Sequence, residues 1–284
     1  MLFENAMNEL PLLVFSVLVP LAVTACGFAG ILRSGVADAS EEVSKKADVM
    51  MTIPVVVMIV GLIAAFLHLG SPMHVFGMLG GLGASPLSNE LVVAAVAIVV
   101  AIVYWIVCLV KHPTGGLHKG LGAICVILGI VLAVFTGLAY QIATVPVWNS
   151  PAGTILQVGL ALAGGATLGG LVVAAAKYEI GEGTARVAGI IAVVGAVIAI
   201  IGLVMLDMAA AGVTTSAGVT LADALGQFIP VAVIAAILMV AGGIVQAINK
   251  TNAAGKAAIA FIAVLVGAFL ARICFYGLFL NIGL

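Results

Sequence analysis

Long apolar runs of similar length follow one another along the chain, separated by short polar stretches. They occupy 10–32, 49–70, 91–110, 121–140, 153–176, 187–206, 228–248 and 257–280. A helix rising 1.5 Å per residue needs about 20 apolar residues to cross the hydrocarbon core of a bilayer. Each run meets that length, so the pattern predicts eight transmembrane helices. Strands of a membrane barrel would be half as long and would alternate in polarity, whereas these runs are apolar throughout. The expected fold class is an all-α integral membrane protein, a bundle of eight transmembrane helices forming one domain over 1–284.

The basic residues orient this bundle. Arg33, Lys45 and Lys46 fall in the first connection, Lys111 and Lys119 in the third, Lys177 and Arg186 at the fifth, and Lys250 and Lys256 at the seventh. The second, fourth and sixth connections and both tails hold none. Cytoplasmic loops carry the excess of Lys and Arg, so the odd connections are expected in the cytoplasm and both termini on the periplasmic, outer side of the plasma (inner) membrane. The opening stretch carries Glu4 and Glu9 but no basic residue, unlike a cleavable export signal. The first run is therefore read as a permanent span.

Composition agrees: 64% of residues are apolar, 7% are charged, and the mean hydropathy is +1.38. Lipid bilayer is the only solvent such a surface tolerates, and no nucleic-acid partner is expected. Cys26, Cys108, Cys125 and Cys274 each sit in a separate apolar run, where free cysteine packs as a small hydrophobe. Without closely spaced thiols no iron–sulfur cluster is expected in this chain, and no other metal site. The pairs Gly164-Gly165, Gly169-Gly170 and Gly242-Gly243 suit close helix approach in lipid.

Chemistry is sought among ionisable groups at membrane depth, because each costs on the order of 3 kcal/mol there. Four qualify: His68, Glu90, Arg272 and Asp207. His68 ends the second run and Glu90 opens the third, across a short connection with Pro72 and Pro86, so an imidazole and a carboxylate are expected to line one outward pocket. Read blandly, His68 is a hydrated interfacial residue and Glu90 a helix-start acid favoured by the dipole. Arg272 shares a helix face with Tyr276; it either snorkels over about 18 Å of helix or meets a buried partner or an anionic ligand. Asp207 reads as a solvated boundary residue. A bis-histidine haem needs two imidazoles at matched depth, but His112 and His118 fall in a cytoplasmic connection and His74 in the outer loop. No haem is expected.

His68-Leu69-Gly70-Ser71-Pro72-Met73, then Gly83-Ala84-Ser85 and Leu87-Ser88-Asn89-Glu90, resemble the membrane-anchor subunit of dimethyl sulfoxide reductase. Tyr140, Thr144-Val145-Pro146 with Trp148, and Arg272 with Phe275-Tyr276-Gly277-Leu278 extend the resemblance along the chain. The resemblance implies a haem-free anchor, not catalytic by itself, that holds a molybdopterin catalytic subunit and a four-cluster ferredoxin-like iron–sulfur subunit. It implies that the anchor oxidises menaquinol for them in anaerobic respiration. The positions matching His68 and Glu90 belong to the family's quinol site; His74 departs from the arginine of a familiar member.

Quinol oxidation releases two electrons and two protons. His68 is expected to accept a proton from one quinol hydroxyl, with Glu90 accepting or relaying one, while Arg272 and Tyr276 orient the ring or hold Glu90 ionised. Electrons would pass directly to a cluster of the iron–sulfur subunit docked on the outer face. Two other classes are weighed against this: a membrane transporter, and a purely structural tether.

Overall fold

A computed structural model describes residues 1–35, 39–68, 77, 79–113, 115–214, 218 and 220–282. His74, and Leu69 to Met73 of the family-like stretch, lie outside the described residues. The helices are α1 (Leu2–Asn8), α2 (Leu10–Ser34), α3 (Glu41–Met50), α4 (Thr52–His68), α5 (Pro86–Lys111), α6 (Gly115–Ala139), α7 (Ala152–Ala175), α8 (Glu182–Ala210), α9 (Ala222–Ala247) and α10 (Ala254–Gly277). A single 3₁₀ turn, Leu79–Gly81, precedes α5. Among the described residues, eight helical stretches are long and apolar enough to cross a membrane, with α3 and α4 forming one of them, Glu41–His68.

The helices overrun the apolar runs because caps, not hydropathy, decide where a helix begins. At α5 the Ser85 hydroxyl accepts from the Ser88 amide at 3.4 Å and Pro86 fills the first position, the usual pairing of N-cap and proline. The helix therefore starts five residues before 91, and Glu90 lies inside it. At α3 Ser40 caps the Val43 amide at 3.3 Å, Glu41 and Glu42 sit in the dipole-favoured first turn, and Lys45 pairs with Glu41 at 2.6 Å. Lys45 and Lys46 are thus helical, not in an irregular connection.

Two helices occupy the centre. In α2 and α7, 83% and 78% of the apolar window is buried, against 28% in Glu41–His68 and in α5. The peripheral helices turn their large apolar side chains outward: Val99, Val110, Ile127 and Ile237 are all exposed, as a lipid-facing surface requires. With no hydrophobic force between helices in lipid, their association rests on close packing. The glycine pairs supply it: a Cβ on Gly165 would stand 2.6 Å from Thr24 Cγ2, one on Gly169 2.7 Å from Phe28 Cβ, and one on Gly242 2.6 Å from the Ala260 carbonyl. All four cysteines are free and buried.

The two ends of the chain meet. Asn5 donates to the Gly277 carbonyl at 3.1 Å, and the Ile282 amide donates to the Thr144 carbonyl at 3.0 Å. This terminal end of the bundle carries the start of α2, α5, α7 and α9; the opposite end gathers the lysines of the connections.

Candidate functional site at the terminal end

Glu90 sits one turn inside α5 and is only 6% exposed. The Thr136 hydroxyl of α6, the guanidinium of Arg272 on α10 and Tyr140 lie within electrostatic reach of its carboxyl, and Thr136 Oγ1 has no hydrogen-bond partner among the described residues. Three helices thus bring an acid, a hydroxyl and a cation to one place. None of the three is adjacent to another in sequence.

Arg272 does not snorkel. It is fully buried, its Nε donates to Ser16 Oγ of α2 at 3.1 Å, and its guanidinium carbon lies 4.3 Å from the ring centre of Phe275, 4.6 Å from Tyr276 and 5.6 Å from Tyr140. Such aromatic faces compensate a desolvated cation in part. Nη1 and Nη2 have no hydrogen-bond partner among the described residues. Two donors are therefore buried with their capacity unused.

The walls of this cluster are locked. Tyr276 donates to the Tyr140 hydroxyl at 2.6 Å. Trp148 stacks on Phe275, 5.1 Å apart and 8° from parallel, and its indole N–H donates to the Phe275 carbonyl at 2.9 Å. Below, Ser16 Oγ donates to the Leu13 carbonyl at 3.1 Å, and the Gln157 amide donates to the Ser16 carbonyl. Arg272 is held in place by residues of α2, α7, the connection between α6 and α7, and its own helix.

His68 stands apart from this cluster. It ends α4 with 39% of its side chain exposed, and its Nε2 lies 4.0 Å from Glu9 Oε2 at the junction of α1 and α2. Among the described residues no hydrogen bond or ion pair joins His68 to Glu90.

A second polar cluster, at the opposite end, escaped the sequence reading. Arg33 Nη2 donates to Asp48 Oδ1 at 2.8 Å, with both side chains 1% exposed. His112 Nδ1 bonds the other Asp48 oxygen at 2.8 Å, and Tyr104 hydroxyl and His118 Nδ1 are 2.8 Å apart. His118 is 4% exposed and belongs to the first turn of α6, not to a hydrated connection as expected. The connection between α5 and α6 is so short that α6 starts at Gly115, which draws His118 into the protein. Asp48 drew no notice in a charged stretch, and only the fold of α3 back against Arg33 reveals it.

Similar sequences occur among known proteins. This one is 33% identical over 147 residues to anaerobic dimethyl sulfoxide reductase chain YnfH of Escherichia coli (strain K12), covering 51% of this chain and 51% of that protein. It is 34% identical over 128 residues to the C chain of anaerobic dimethyl sulfoxide reductase from the same organism, covering 44% of each. It is 28% identical over 148 residues to the corresponding C chain of Haemophilus influenzae (strain ATCC 51907 / DSM 11121 / KW20 / Rd), covering 52% of each. The chain spans about half the length of the curated relatives it matches. A family profile described as DMSO reductase anchor subunit (DmsC) matches residues 3–278, which takes in all eight candidate spans and the buried cluster around Glu90. The chain is therefore a multi-pass membrane protein that belongs to the DMSO reductase anchor subunit (DmsC) family.

Proposed function

We propose that this chain is the quinol-oxidising anchor of a dimethyl sulfoxide reductase-type complex in anaerobic respiration. Menaquinol enters from the bilayer at the terminal end, gives up two protons and two electrons, and leaves as menaquinone. The observation that carries the reading is a buried acid, Glu90, within electrostatic reach of Arg272, whose Nη1 and Nη2 donors are unused. A quinol hydroxyl set between them donates its hydrogen to the carboxylate and accepts from the guanidinium. As the proton leaves, the developing charge on oxygen is stabilised by a cation already in place. Tyr140 and Tyr276 pack against Arg272 and keep that cation aimed. The second hydroxyl reaches the rim, where His68 accepts its proton and Glu9 stands ready to take it onward.

The electrons go to an iron–sulfur subunit docked over the terminal end, and from it to a molybdopterin subunit that reduces the terminal acceptor. In this reading the terminal end faces outward across the plasma membrane, which the bias of Lys and Arg toward the opposite end supports. Support comes from the family membership and from the position of the cluster near one end of the bundle.

The test is binding of a hydroxynaphthoquinone to the detergent-solubilised complex in the absence of any electron donor, followed by quenching of tryptophan fluorescence. Native protein is expected to saturate at one site, with affinity at least tenfold weaker in Glu90→Gln and Arg272→Gln. Equal binding by native protein and both variants, or none by native protein, rejects the site.

A further inference from the structure

Glu90 and Arg272 are close enough to feel one another, yet they do not pair. Glu90 lies one turn inside the terminal end of α5, and Arg272 about one turn inside the terminal end of α10. Both are buried, and the guanidinium acts electrostatically on the carboxyl. Among the described residues, however, neither Nη of Arg272 has a hydrogen-bond partner and no ion pair joins the two. An acid and a guanidinium buried together normally close on each other, because each carries a desolvation cost that only a partner offsets. A restraint on Arg272 explains why they stay apart.

The restraint begins with a proline. Pro20 lies inside α2 and, lacking an N–H, cannot bond the carbonyl one turn earlier, that of Ser16. The side-chain amide of Gln157 on α7 replaces the missing donor and bonds the Ser16 carbonyl, with both residues buried. Ser16 is thereby tied to α7 through its backbone. Its hydroxyl hydrogen goes to the Leu13 carbonyl at 3.1 Å, so toward any other group its oxygen can only accept. What it accepts is the Nε–H of Arg272, at 3.1 Å. Because the guanidinium is planar and rigid, a bond at Nε together with the rings of Phe275 and Tyr276 fixes the direction of Nη1 and Nη2.

We propose that Ser16, set in place by Pro20 and Gln157, is a positioning residue that holds Arg272 off Glu90 and so keeps both free for the quinol hydroxyl. The purpose of the restraint rests on the quinol reading of the site; the restraint itself does not. Ser16 acts only through Arg272. Without its hydroxyl the guanidinium swings onto the Glu90 carboxylate, each occupies the other, and the quinol hydroxyl meets neither a free acceptor nor a free donor.

A double-mutant cycle of Ser16→Ala and Glu90→Gln tests this, read first by melting of the full chain in detergent. In native protein Ser16→Ala should lower the melting temperature by no more than about 2 °C, because Arg272 exchanges the hydroxyl for a carboxylate. In the Glu90→Gln background, with no anion to turn to, the same change should lower it by about 6 °C, as when a buried charged donor loses its partner. Equal drops in the two backgrounds would assign Ser16 to packing alone and overturn the proposal. In the assembled complex Ser16→Ala should slow quinol-fed turnover about tenfold, the scale of a small misplacement of a catalytic group, and leave dye-fed turnover unchanged. Gln157→Met should act in the same direction. Quinol-fed turnover near native in Ser16→Ala, where Glu90→Gln abolishes it, would also overturn the proposal. Turnover near native in both variants would instead count against the quinol reading, and the melting cycle, which uses no quinol, then decides the restraint on its own.

Discussion

Replacing Asp48 with alanine takes the countercharge from a guanidinium that has no route to water. Arg33 Nη2 and Asp48 Oδ1 are 2.8 Å apart with both side chains 1% exposed, which at an effective dielectric of 20 corresponds to about 6 kcal/mol of attraction. The net loss is smaller, because both charges were desolvated to form the pair. Arg33 also keeps two contacts in the variant, the Ser44 carbonyl at 3.2 Å and the Tyr178 ring at 5.4 Å. The expected cost is therefore about 3 kcal/mol, the low end for breaking a buried pair. For a chain of this size that lowers the melting temperature by about 6 to 12 °C, readable by tryptophan fluorescence in detergent. The double variant Arg33→Met with Asp48→Leu removes both charges and should melt within about 4 °C of native. If the double variant falls as far as the single one, the loss comes from packing and the uncompensated charge is not its cause. If Asp48→Ala melts like native protein, the pair carries no stability.

Arg272→Lys keeps the positive charge but loses the flat guanidinium that faces Phe275 and Tyr276; the KM for quinol should rise about tenfold while dye-driven reductase activity stays unchanged. Gly165→Val puts two methyls and a Cβ against Thr24 of α2 and should cost about 1 to 3 kcal/mol, seen as a lower yield of monodisperse protein by size exclusion. Gly183→Ala, with open space around it in the first turn of α8, should raise the melting temperature slightly. His68→Ala, at an exposed helix end, should leave melting unmoved yet slow quinol-fed turnover by about 10²-fold.

The apolar runs were enough to read eight spans, because lipid demands one length of helix and one polarity. Helix starts were not legible from hydropathy: the Ser85 and Ser40 caps act through single hydrogen bonds. Of the site, Glu90, Arg272 and Tyr276 stood out as polar groups in apolar runs, and the structure gathers them. Their support Ser16 is a hydroxyl, which lipid tolerates at little cost when it bonds a carbonyl one turn back, here that of Leu13, so nothing in the sequence marked it. Pairing across helices was equally hidden. His68 and Glu90 are near in sequence, yet the acid interacts with a residue 182 positions away, counting from 90 to 272. Asp48 and Arg33 hid for the converse reason, since each lay in a stretch whose charges read as hydrated.

The central claim is that Glu90 takes a proton from quinol. The direct measurement is steady-state reductase turnover of the assembled complex carrying Glu90→Gln, fed first by a menaquinol analogue and then by a reduced dye that bypasses the membrane subunit. Quinol-fed turnover should fall at least 10²-fold, as for loss of a general base, with dye-fed turnover and complex assembly unchanged. Quinol-fed turnover within twofold of native would contradict it.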